Sequence, residues 1–183
     1  MTKENIKKVL LLLAVFGIFA LIANALLGSW TSYDIKHYKE LTETNTILPK
    51  LDELGDYEDI DFKFYRKNML IFQSDAYTLK VAYDENNYNI QKEKINQEYI
   101  FHEEPISDDR SGISYVKKSA FTIDDFDMRV LSEEAYKMHF PKNIIFIGTS
   151  DEKRMISYVY YFDDDLDYID TSLEDFLKSE CGW

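Results

Sequence analysis

The sequence predicts an α+β protein: an N-terminal transmembrane helix followed by an antiparallel β-sheet domain with a few helices packed on one face. Three observations predict it. An unbroken apolar run opens the chain, period-two segments recur through the middle, and stretches with helical spacing and capping residues separate them.

The apolar run is Val9–Leu27, nineteen residues whose only polar side chain is Asn24. At 1.5 Å rise per residue it spans about 28 Å, close to the roughly 30 Å of a bilayer's hydrocarbon core. Lys3, Lys7 and Lys8 precede it, while Lys36 and Lys39 follow at a distance. That bias places the N-terminus inside and the C-terminal domain outside. Trp30 and Tyr33 sit where amphipathic rings prefer the head-group layer. Residues 1–8 then form a cytoplasmic segment, 9–27 a single-pass signal anchor in the cell membrane, 28–50 a juxtamembrane helix and connector, and 51–183 the extracytoplasmic domain. The competing reading is a cleaved signal peptide, because Ala23-Asn24-Ala25 has the A-x-A form and cleavage following Ala25 would secrete the domain. The run's continuation through Leu26 and Leu27 favours the anchor.

Within 28–50, Tyr33, His37 or Tyr38, and Leu41 recur at helical spacing, and Pro49 closes the stretch. Ile60, Phe62 and Phe64 alternate with polar neighbours as in a half-buried strand. Met69–Gln73 and Ala76–Tyr83 follow as strands, with Ser74-Asp75 as the expected turn. Residues 84–99 read as a helix capped by Asp84, with Tyr88, Lys92, Ile95 and Tyr99 on one face. Ser107–Gly112 is a polar loop. Ile113–Ile123 and Phe126–Leu131 are strands turning at Asp124-Asp125, and Ser132 opens a short helix that ends before Pro141. Asn143–Thr149 and Arg154–Phe162 form the clearest hairpin, and Thr171 or Ser172 caps a last helix running to about Ser179.

Composition narrows the function. The chain has 183 residues and a net charge of −13, and the basic bias of the first thirty residues leaves −15 on residues 31–183. Such a surface repels phosphate backbones, so no nucleic-acid partner is expected. Cys181 is the only cysteine, which excludes an internal disulfide and a lipidated N-terminal cysteine. His37, His102 and His139 lack zinc-site spacing, and no nucleophile elbow, Walker loop or dinucleotide fingerprint occurs. No catalytic residue and no organic cofactor is expected.

Two weaker candidates remain. Asp163, Asp165 and Asp167 place carboxylates at alternating positions, and Glu174 falls at position twelve, where an EF-hand puts its bidentate ligand for Ca²⁺. Tyr168 occupies the position that needs glycine, and Asp170 one that is normally apolar, so the same acids also read as a solvated connection favouring the next helix N-terminus. The second candidate is a tyrosine-rich binding surface at Tyr158, Tyr160 and Tyr161, drawn from 28 aromatic residues that exceed what one core needs.

Phe140-Pro141-Lys142, Phe146–Lys153, Tyr160–Asp163 and Asp165–Ile169 form a recognisable series, with Ser74–Tyr77 and the closing Cys181-Gly182-Trp183. In these segments the chain resembles small membrane-anchored and exported proteins of Gram-positive bacteria, a group to which no activity is attached. The resemblance covers most of residues 48–183 and implies export from a single-membrane cell. The sequence thus leads to a membrane-anchored, non-enzymatic module that binds a protein or cell-envelope partner. The alternative is a Ca²⁺-dependent envelope enzyme or sensor at Asp163–Asp170.

Overall fold

Continuous apolar stretches decide the centre of this fold. In the computed structural model, which describes residues 3–103, 106–107, 114–116, 119–139, 142–166, 169 and 171–183, Asn143–Ser150 is a strand with seven buried residues in succession. A strand apolar on both faces must be covered on both. The elements in chain order are α1 (Lys3–Leu27), β1 (Ser29–Ser32), α2 (Lys36–Thr44), a 3-10 turn at Leu51–Glu53, β2 (Asp59–Met69), β3 (Phe72–Ala82) and α3 (Glu85–Glu98). They continue with β4 (Ile106–Ser107), β5 (Ser114–Val116), β6 (Ala120–Ile123), β7 (Phe126–Val130), α4 (Glu133–Tyr136), β8 (Asn143–Ser150), β9 (Met155–Asp163) and α5 (Leu173–Glu180).

Seven strands form one antiparallel sheet in the order β1-β2-β3-β9-β8-β7-β6, and β4 pairs with β5 separately. The sheet is two meanders, β1–β3 and β6–β9, joined where β3 pairs with β9 from Ser74↔Asp163 to Ala82↔Met155. Side-chain alternation divides the core in two. One face carries Phe126, Met128, Ile144, Phe146, Val159 and Tyr161 against Leu173, Phe176 and Leu177 of α5. The other carries Phe62, Phe64, Leu79, Val81, Ile145, Ile147 and Tyr158 against Tyr38 of α2 and Tyr88 and Ile95 of α3. The expected α+β class and antiparallel sheet are observed, but the helices cover both faces rather than one.

Two expectations shift in detail. The sheet begins at Ser29, inside the stretch read as a juxtamembrane connector, because β1 pairs with β2 from Ser29↔Lys67 to Ser32↔Phe64. The β2–β3 turn falls at Leu70-Ile71, while Ser74 and Asp75 lie buried within β3. Asp75 is held there by Arg66, whose Nε and Nη2 donate to its two carboxylate oxygens at 2.6 and 2.7 Å. Leu70 has φ +63°, a conformation that glycine or asparagine ordinarily supplies and that costs a leucine about 1–2 kcal/mol. The expected polar loop lies largely outside the described residues, at 108–112, as does Pro141.

The caps follow the sequence closely. Asp84 accepts the Asn87 N–H at 2.8 Å to start α3, and Ser172 accepts the Asp175 N–H at 3.1 Å to start α5. Past α5, Gly182 at φ +63° reverses the chain so that the Trp183 N–H donates to the Leu177 carbonyl.

Among the described residues, no side chain of helix α1 joins either core. Its side chains from Leu10 to Phe19 include eight apolar residues that are 57–71% exposed. Among the described residues no helix is long and apolar enough to cross a membrane. The side chains of Val9, Ala20, Leu21, Ile22 and 24–26, which belong to the sequence's apolar run, lie outside them.

Candidate functional site

A groove of about 570 Å³ lies between the loop after α2, the C-terminal end of α3 and α4. Its floor follows from local hydrogen bonding. Asn45 ends α2, and its side-chain oxygen accepts the Ile47 and Leu48 N–H groups at 2.9 and 3.4 Å, which turns the chain into Pro49. Tyr38 from below donates to the Pro49 carbonyl at 2.8 Å, and Tyr99 donates to the Ile47 carbonyl at 3.2 Å. The Tyr136 hydroxyl accepts the Ile100 N–H at 3.0 Å, fixing α4 against the segment that follows α3.

Tyr99 and Tyr136 then face each other with ring centroids 6.4 Å apart, tilted by 45°. Around them stand Glu53, Glu98, Lys94 and Lys137, two charges of each sign. Burial, reinforced by the neighbouring Tyr136 and Glu98, pushes the Tyr99 phenol well above its ordinary range. It therefore remains a protonated donor and no phenolate base forms. Among the described residues, no histidine, cysteine or serine lines the groove. It offers aromatic faces, phenol hydroxyls and charges of both signs.

Sequence reading missed this groove. Thr46–Pro49, Tyr99 and Ala135–Lys137 are separated by dozens of residues, and no spacing rule links them. The turn signature of Asn45 and Pro49 was the only local sign.

The predicted sites fare differently. Asp163 ends β9 and is only 3% exposed. Its Oδ2 accepts the Tyr161 hydroxyl at 2.9 Å and its Oδ1 accepts the Asp165 N–H at 2.8 Å, so both oxygens already serve the turn. Asp165 is exposed, and Glu174 pairs with Lys178 at 2.6 Å along α5. Asp167, with Tyr168 and Asp170, lies outside the described residues. Among the described residues no three acidic, histidine or cysteine side chains converge as metal ligands.

The tyrosine surface is corrected for two of its three members. Tyr158 and Tyr161 are 3% and 1% exposed, because β9 is a central strand covered on both faces. Tyr160 is half-buried and belongs to a row of rings crossing the sheet. Tyr160 meets Tyr77 at 5.9 Å, Tyr77 meets Phe64 at 4.8 Å, and Phe64 meets Trp30 at 5.0 Å and His37 at 4.8 Å.

Three further groups are held within the fold. Cys181 is buried, and that burial raises its thiol far above its usual range, leaving an unreactive side chain. His102 Nε2 accepts the Glu133 N–H at 3.1 Å, at the start of α4. Lys80, half-buried with its Nζ 3.7 Å from the Trp183 ring centroid, is lowered from its ordinary value by desolvation. No protein family, curated protein or solved structure matches the chain.

Proposed function

We propose that the chain is a membrane-anchored binding domain, held in the cell membrane by residues 9–27 with its N-terminus inside and the sheet domain outside the cytoplasm. The observation that carries this reading is the exposure of α1. Eight apolar side chains between Leu10 and Phe19 have no partner in either core, and leaving them in water forgoes roughly 1.5–3 kcal/mol for each large one. A lipid environment removes that cost. Exposed Lys7 and Lys8 at one end of the helix, and exposed Trp30 and Tyr33 beyond the other, supply the charge and aromatic belts of an inside-to-outside span. Secretion after cleavage following Ala25 is the competing outcome for the same segment.

The domain's role is recognition of a protein or envelope component through the groove of Tyr99 and Tyr136. Charges of both signs suit a polar, extended segment better than a polyanion, in keeping with the −13 net charge. The cation-dependent alternative is less favoured because Asp163 is 3% exposed and each of its oxygens already accepts a hydrogen bond. A photo-crosslinking side chain placed at Lys137 in intact cells tests the role, with Lys178 as the control position. The reading expects a discrete adduct from Lys137 alone that disappears with Tyr136→Ala. Identical adducts from both positions, or none from Lys137, would overturn it.

A further inference from the structure

The tip of the β2–β3 hairpin is apolar, exposed and built against local preference. Leu70 and Ile71 form a two-residue turn closed by the Met69↔Phe72 pair, and Leu70, Ile71 and Phe72 are 62%, 88% and 38% exposed. A two-residue turn with positive φ at its first position calls for glycine, yet leucine occupies it. Conformational need therefore does not explain the residues at this tip.

Its position does point to an occupant. β1 runs away from the tip, with Ser29 opposite Lys67 and Ser32 opposite Phe64, so α1 leaves the domain on the tip side. The junction is fixed by a hydrogen bond from the Asn68 N–H to the Gly28 carbonyl at 2.9 Å. Lys67 and Leu70 are three residues apart, about 10 Å along a strand. The tip therefore lies about one head-group layer from the point where the chain would leave the hydrocarbon. The last rungs of the hairpin, Asn68↔Gln73 and Met69↔Phe72, extend past the ends of both β1 and β9, so no neighbouring strand covers them. Trp30, 41% exposed, stands on the same side of the domain.

We infer that the Leu70-Ile71-Phe72 tip inserts into the outer interface of the same bilayer that holds α1, as a second membrane contact. This rests on the anchor reading. A single span leaves a domain free to swing about its exit point, whereas a second contact beside that point fixes which face of the sheet looks outward. The groove of Tyr99 and Tyr136 would then be held at one set height above the lipid.

The test uses the full chain in vesicles of phosphatidylcholine and phosphatidylglycerol, labelled with an environment-sensitive fluorophore at Ile71→Cys, Phe16→Cys or Glu152→Cys. Cys181 is buried, and the unsubstituted chain gives the labelling background. Glu152, exposed in the β8–β9 turn, reports bulk water, and Phe16 reports the span. The inference expects blue-shifted emission at Ile71, with several-fold stronger quenching by shallow spin-labelled lipid than at Glu152. A lipid-embedded Phe16 probe with an Ile71 probe that behaves like Glu152 would overturn the second contact and leave the anchor standing. A Phe16 probe in water would overturn the anchor. The second contact would fall with it, since it is defined by the bilayer that holds α1.

Discussion

Single residues in this fold are held by close contacts that substitution can test. A Cβ added at Gly148 would lie 2.1 Å from the Met128 sulfur, and Met128 is fully buried opposite it on β7. The thioether must shift within a buried core, so Gly148→Ala is expected to destabilise the domain by about 1–3 kcal/mol in chemical denaturation. Combined with Met128→Ala, the loss should fall short of the two single losses added together, because the cavity and the intruding methyl coincide. His102 sets a pH dependence. Burial, opposed by Glu133 and Glu134, lowers its folded-state value below the ordinary value of about 6.5. The unfolded chain therefore takes up the proton first, and the stability present above that pH is lost progressively as acid is added below it. Thermal melts between neutral and mildly acid pH should show this loss, and His102→Gln should flatten that part of the profile.

At the scale of elements, the strongly periodic and well-capped segments were legible. The β8–β9 hairpin, α3 with Asp84 and α5 with Ser172 appear where pattern and capping chemistry place them. The β2–β3 turn was misplaced because Ser74-Asp75 carries ordinary turn chemistry whereas Leu70-Ile71 does not. Asp75 instead enters a buried strand because Arg66 across the ladder neutralises it. The tyrosines misled for a related reason. With both faces of the sheet covered, Tyr158 and Tyr161 fill core, and Tyr161 keeps its hydroxyl satisfied on Asp163. The uninterrupted apolar run Ile144–Ile147 was the sign that two layers of helices were needed. The β9–α5 connection carries its own prediction. With Asp163 committed to Tyr161 and the Asp165 N–H, calorimetric titration of the protein with Ca²⁺ should give no binding heat at millimolar metal. A saturable heat that vanishes in Asp165→Asn would restore the cation reading.

The whole molecule pairs an exposed apolar helix with an acidic two-faced sheet domain. A polar groove opens on the α2–α3 side, and an apolar hairpin tip lies at the end of the sheet where the helix joins β1. The groove was invisible in the sequence because three distant segments build it, each contributing backbone turns and tyrosine hydroxyls rather than a motif. The helix, by contrast, was legible at once from hydropathy, since the large apolar side chains of α1 from Leu10 to Phe19 are all exposed. Everything proposed for the domain depends on where that helix resides. The most direct measurement is an alkaline carbonate wash of membranes from cells making the full chain, with the mass of the protein read in pellet and supernatant. The account predicts the full-length chain in the pellet. Full-length protein in the supernatant, or a soluble form beginning at Leu26, would contradict it.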